Sequence, residues 1–193
     1  EVTDSAGRII KGDKVTYDKL KELLIVEGSV EIFDIEGNIL RTDKAIYNKI
    51  KETIVTYENT ELTIKEGYKL TSSEVLYDTA KKIISSDQYS IFTDMDNNTV
   101  TVSMFQYYVE KNLFSSVGKI EIIDANKNKY FFKELHVDTL KKEMIGSDVS
   151  VILDQENFGV SKENDPRFVA NDILLTKNKS SFSKGVFTIC QQK

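Results

Sequence analysis

The sequence predicts an all-β chain of stacked antiparallel strands. Three observations carry that prediction: a constant 30-residue spacing of Tyr17, Tyr47, Tyr77 and Tyr107, apolar/polar alternation of period two within each interval, and turn signals about every 10 residues. Helix is excluded because no stretch holds an apolar i, i+3, i+4, i+7 pattern between caps.

The columns around the tyrosines agree. One step on stands a turn-former, at Asp18, Asn48, Asp78 and Asp138, with Tyr108 the exception. Four steps on stands a lysine, at Lys21, Lys51, Lys81, Lys111 and Lys141, and seven steps on an apolar residue, at Leu24, Ile54, Ile84, Phe114 and Met144. Two steps before the tyrosine come Val15, Ala45, Val75, Phe105 and Leu135, and Val137 continues the comb itself. A second turn column holds Asp34, Asp94, Asp124 and Asp154, broken by Ile64. A fixed period of this length is the signature of a stacked architecture.

Lys14-Val15-Thr16-Tyr17, Ser29-Val30-Glu31-Ile32 and Lys119-Ile120-Glu121-Ile122 alternate as half-buried strands do. Turn signals lie at Glu27-Gly28, 34–38, Glu66-Gly67, 94–98 and 124–128. This spacing predicts about three short strands per period. Residues 155–167, with the lone Pro166, read as an inserted loop, and a shifted sixth unit follows from Phe168 through Phe187. Residues 1–187 thus form one repetitive domain, with 188–193 a linker.

Composition suits a thin stack: 40% hydrophobic and 30% charged residues, one proline, no tryptophan, nine tyrosines and ten phenylalanines. The net charge of −5 comes without any basic block, so nucleic acid is not an expected partner. No apolar run approaches the ~20 residues of a membrane-spanning helix. The chain opens on Glu1-Val2-Thr3-Asp4, read as a trimmed terminus. Cys190 is the only cysteine, so its partner lies outside this chain or it is an inert thiol.

Each unit offers one apolar face, which must be covered by its neighbours. The candidate binding surface is an apolar groove lined by Val15, Tyr17, Leu24, Val30, Ile32, Ala45, Tyr47, Ile54, Leu62, Val75, Tyr77, Ile84, Phe105, Tyr107 and Phe114. The column Val26, Thr56, Ser86, Ser116, Gly146 is small throughout. A filled core asks for larger side chains there, so the stack is expected to stay partly open. A closed, fully packed core is the competing expectation. The two ends of the stack are docking edges for strand addition, the N-terminal one above all.

The repeated string, written here as Val15-Thr16-Tyr17-Asp18, Leu23 to Val26, Gly28 and Val30-Glu31-Ile32, resembles the OstA-type repeat over about residues 9–187. That family comprises periplasmic lipopolysaccharide-transport proteins and the N-terminal domain of the outer-membrane lipopolysaccharide-assembly protein. The stretch Phe182 to Cys190 is similar to the junction with the β-barrel in the latter.

The resemblance implies a twisted, open β-jellyroll at the periplasmic face of the Gram-negative outer membrane, guiding lipid A chains of lipopolysaccharide. It further implies a periplasmic bridging protein added at the N-terminal edge, a C-terminal β-barrel with its plug lipoprotein, and a disulfide from Cys190 to a segment outside this sequence. The familiar version has a second cysteine near its mature N-terminus, which this sequence lacks. A free-standing bridging protein of the same family is the nearest alternative.

Nothing in the sequence assembles a catalytic or metal site, and no cofactor is expected. His136 is the only histidine and alternates with Leu135 and Val137 as an outward strand residue. Asp94-Met95-Asp96-Asn97-Asn98 has the start of a calcium loop without its glycine and distal glutamate, and falls on a turn column. The Asn-x-Ser/Thr strings at Asn97 and Asn178 lie in turn-like stretches. From other classes, a structural β-solenoid stalk shares the period but has a dry core, and a polysaccharide-active β-helix enzyme requires clustered carboxylates that the columns do not show.

Overall fold

The computed structural model describes residues 1–3, 7–64, 67–154, 166–176 and 178–189. The strands are β1 (Val2–Thr3), β2 (Ile9–Lys11), β3 (Lys14–Asp18), β4 (Leu23–Phe33), β5 (Ile39–Asn48), β6 (Thr53–Thr63), β7 (Lys69–Asp78), β8 (Ile83–Ser86) and β9 (Ser90–Thr93). They continue as β10 (Thr99–Val102), β11 (Phe105–Tyr108), β12 (Leu113–Ile123), β13 (Lys129–Asp138), β14 (Glu143–Ile152), β15 (Arg167–Leu175), β16 (Ser180–Ser183) and β17 (Val186–Thr188). All belong to one antiparallel sheet. No α-helix occurs among the described residues.

The connectivity is a meander. β4 pairs with β5, β5 with β6 and β6 with β7. The short strands act in collinear pairs: β2 and β3 lie against β4, β8 and β9 against β7, β10 and β11 against β12, and β16 and β17 against β15. Each 30-residue period is therefore one hairpin of two long strands. The expectation of three short strands fails at Glu27-Gly28, which is a bend within β4 and not a turn.

That bend recurs mid-strand along the sheet. Where β4 faces β5, the register jumps between Glu27 and Val30, two residues opposing the single Asp43. β6 and β12 carry the same extra residue, across Tyr57/Thr60 and Val117/Ile120. A bulge of this kind kinks its strand and raises the local twist. Left-handed backbone supplies it, at Gly28 (φ 74°), Glu58 (φ 60°) and Gly118 (φ 107°). The sheet folds along this line into two wings, one carrying the tyrosine comb. The folded sheet of stacked antiparallel strands on a 30-residue repeat is the jellyroll architecture the resemblance implies.

β14 omits the extra residue: Glu134 pairs with Ser147 and Phe131 with Ser150, so both strands hold the same number of residues across the bend. The repeat slips by one there. Leu153, not Asp154, takes the structural place of Asp124, because its amide donates to the Pro166 carbonyl as that of Asp124 donates to Asn128. A count of 30 residues from Asp124 puts Asp154 in this turn column, one position past the residue that holds it.

The turn-formers are explained by hydrogen bonding. The Asp18 Oδ1 accepts from the Leu20 and Lys21 amides, and Asn48, Asp78 and Asp138 accept from Lys51, Lys81 and Lys141 in the same way. The lysine returns an ion pair to the aspartate at 2.9 Å in Lys81–Asp78 and 3.1 Å in Lys141–Asp138. This holds the Asp78 carboxyl below the usual range, the Lys81 hydrogen bond being the largest cause. Where Tyr108 replaces the turn-former, a 3-10 turn at Val109–Lys111 stands instead, with the Lys111 ammonium 5.5 Å from the Tyr108 ring centre. Each turn is tied to the one before it, Lys49 to Glu22, Thr79 to Glu52, Val109 to Lys82 and Thr139 to Asn112, by amide-to-carbonyl bonds of 2.8–3.0 Å.

Candidate functional site

On the tyrosine wing, directly paired residues form one unbroken row across the sheet: Tyr17, Leu24, Tyr47, Ile54, Tyr77, Ile84, Tyr107, Phe114, Val137, Met144, Leu175. The opposite wing has its own row: Ile10, Ile32, Leu40, Leu62, Leu70, Phe92, Val100, Ile122, Tyr130, Val151, Phe168. Both rows lie on the inner face of the bend, two residues out from its buried line. They are mostly half-buried, whereas the residues at the bend are closed off.

The candidate groove residues divide accordingly. Val30, Ala45, Val75 and Phe105 are buried at the bend and fill the core. Leu24, Tyr47, Ile54, Tyr77, Ile84, Tyr107 and Phe114 stand half-buried on one wall, and Ile32 and Leu62 on the other. Val15 and Tyr17 are exposed, Tyr17 to 52%, because β3 has a neighbour on one side only. Most of the second wall, from Ile10 through Leu40, Leu70, Val100 and Tyr130, lies outside the candidate groove residues expected from the sequence. The signal was there: those five stand seven residues before each comb position, and all are apolar or aromatic.

The small column does not hold the sheet open. Thr56, Ser86 and Ser116 are buried at the bend. Their hydroxyls serve backbone groups: Thr56 Oγ1 accepts from the Val75 amide at 3.1 Å, Ser86 donates to the Glu74 carbonyl, and Ser116 donates to that of Met104 at 2.7 Å. A Cβ on Gly146 would lie 2.5 Å from Phe132 Cδ1 of the opposite wing. Small side chains stand there because the wings come closest there, which corrects the inference of openness from their size.

Buried hydroxyls also link up at the bend. Thr60 donates to Thr56 at 2.9 Å and Ser72 meets Ser86 at 3.2 Å from one wing to the other, while Thr42 meets Thr60 at 3.1 Å and Ser90 donates to Ser72 at 3.0 Å between neighbouring strands of one wing. This polar belt separates a small apolar cluster around Ile10, Val26, Val30 and Ala45 from the main one, which runs from Leu70 to Ile173. Within the main cluster Phe92 of one wing meets Phe105 and Phe114 of the other, with ring centres 4.9 and 5.2 Å away.

The remaining motifs are structural. Asp94 accepts from the amides of Asp96 and Asn98 and from the Asn98 side chain, an Asx turn repeated at Asp34 and Asp124. Burial tends to raise the Asp124 carboxyl, but hydrogen bonds from Asn128, Tyr130 and the Asn126 amide outweigh it and hold it below its ordinary value. Burial, aided by that carboxylate, pushes Tyr130 up to about 12. His136 sits on the outer face with Nδ1 2.8 Å from Ser115 Oγ. No group of three metal-binding side chains occurs among the described residues. Cys190 lies outside the described residues, as does the loop at 155–165.

The fold and rows define a class: a single-sheet β-jellyroll with two facing apolar walls. No family model and no curated protein matches the chain. Among solved structures it is similar to the crystal structure of LptH, the LptA homologous periplasmic component of the conserved lipopolysaccharide transport device from Pseudomonas aeruginosa. The identity is 11% and the TM-score 0.30, over 71% of this chain and 79% of that chain. Backbones related this loosely assign no role from one residue to another.

Proposed function

We propose that this chain binds lipopolysaccharide and conducts it through the periplasm, its lipid A chains held between the two apolar rows. The observation that carries the proposal is the pair of continuous, half-buried rows facing each other beneath a closed bend. Acyl chains gain ~0.8 kcal/mol for each methylene taken from water, and the two rows offer an apolar or aromatic side chain at each long strand along the stack. The chemistry is binding and guidance, with no bond made or broken.

Within that role we read the chain as the periplasmic domain of the outer-membrane assembly protein, at the periplasmic face of that membrane. A bridging protein adds to the β3 edge, where Val15 and Tyr17 are exposed. The C-terminal barrel with its plug lipoprotein, and a disulfide from Cys190, belong to this reading. A free-standing bridging protein is supported as strongly by the other edge, where Phe182, Val186 and Phe187 are exposed on β16 and β17, each paired to β15 alone.

The test is photo-crosslinking to lipopolysaccharide from positions 47, 54 and 77, with 46, 55 and 76 as controls. Ile46, Val55 and Leu76 are their chain neighbours and form a paired row on the outer face. Adducts from the first set alone support the groove. No adducts from a folded protein return the closed-core stalk.

A further inference from the structure

The two rims of the folded sheet carry opposite charge beside the same kind of exposed apolar tip. On the tyrosine-wing rim the first two turns read Lys19-Leu20-Lys21 and Lys49-Ile50-Lys51, with Leu20 96% and Ile50 71% exposed. These turns are adjacent, joined by the Lys49 amide donating to the Glu22 carbonyl at 3.0 Å. On the opposite rim the exposed tips are Ile35, between Asp34 and Glu36, and Met95, between Asp94 and Asp96.

The turn geometry explains Lys21, which pairs with Asp18, and Lys49 pairs with Glu22. It does not explain Lys19 and Lys51, whose ammonium groups have no ion-pair partner among the described residues, nor two aliphatic tips in water. Apolar tips flanked by lysines fit the interface of an anionic bilayer: the alkyl groups enter the headgroup layer while the ammonium groups stay at the phosphates.

We infer that the turns Lys19-Leu20-Lys21 and Lys49-Ile50-Lys51 dock this rim on an anionic membrane surface. The acidic rim, with its equally exposed Ile35 and Met95, is repelled and faces away. The lysine tips are complementary in charge to an anionic bilayer, and the two aliphatic tips suit its headgroup layer; pairing with the acidic rim of a second copy would appear instead as self-association without vesicles and would overturn the inference. The inference does not depend on what the groove carries.

Flotation of the whole chain with vesicles tests it. The protein is expected to float with phosphatidylcholine vesicles containing 30% phosphatidylglycerol and not with phosphatidylcholine alone. K19Q/K51Q lowers partitioning about 30-fold, taking ~1 kcal/mol for each lysine near an anionic surface and 1.4 kcal/mol per factor of ten. L20S/I50S also lowers it, by about tenfold or more, whereas I35S/M95S leaves it unchanged. I54E, which places a charge in the groove wall, retains flotation if the rim is the contact. The inference is overturned by equal binding to neutral vesicles, by no binding, or by loss in I35S/M95S. Loss in I54E with a native circular dichroism spectrum also overturns it, because lipid taken into the groove is then the cause.

Discussion

Gly146 is the place to test whether the bend is packed shut. An alanine there adds one carbon at 2.5 Å from Phe132 Cδ1, 2.8 Å from Cε1 and 3.3 Å from the Glu134 carbonyl oxygen. Carbon pairs settle at ~3.5–4.0 Å, so the ring has to retreat by about 1 Å. Phe132 is buried within the main cluster and has no open side to move into. Overpacking of this size costs about 1–3 kcal/mol, and at 2 kcal/mol the melting temperature of a chain this long falls by about 4–8 °C. Urea unfolding followed by circular dichroism reads the change as a lower midpoint at unchanged slope. Phe132→Leu trims the obstructing ring, so the double variant is expected to be more stable than the sum of the single losses, by about 0.5–3 kcal/mol. Glycine to alanine at an unhindered site stabilises by about 0.4–1 kcal/mol. A neutral or stabilising Gly146→Ala therefore refutes the closed bend and restores the open stack that the small column led us to expect.

Two further outcomes follow from the polar interior. Thr56→Val keeps the shape but strips the Val75 amide of its acceptor in a buried setting; a loss of about 1–3 kcal/mol is expected in the same urea assay, and no loss would mean water reaches the bend. Stability should also fall at both ends of the pH range. Asp124 has a folded pKa below its unfolded one, so its contribution is present above the ordinary carboxyl range and disappears as pH falls through the lowered value. Tyr130 is raised to about 12, so its contribution is complete below pH 10 and disappears between about 10 and 12. Urea midpoints against pH should lose part of the acid limb in Asp124→Asn and part of the alkaline limb in Tyr130→Phe; unchanged limbs would sink the assignment.

The fold class, the period and one of the two apolar rows were legible in the sequence, because cross-strand pairing stacks the comb columns directly upon one another. Tyr47 meets Ile54 and Tyr77 meets Ile84 in register, so a column in the sequence is a row in space. The bend was not legible. Gly28 is as good a residue for a bulge as for a turn, and the choice depends on whether the partner strand continues past it, which is a long-range fact. The small column misled for a related reason: Thr56 and Gly146 are small because another wing covers them, and that wing lies many residues away in the chain. The slip at β14 was hidden because Asp154 is a plausible turn residue, although Leu153 holds the position.

The bulge count also sets the rule by which this molecule could change length. A hairpin with one bulged strand takes 30 residues and advances the sheet by two strand spacings, about 9.6 Å. Duplicating or deleting one such stretch keeps every turn on its own rim and every tyrosine facing inward. An insertion of a single strand would exchange the lysine-bearing tips for the acidic ones in everything downstream. Viable lengths are therefore quantised, and a gene lineage that lengthens this chain should do so in whole hairpins.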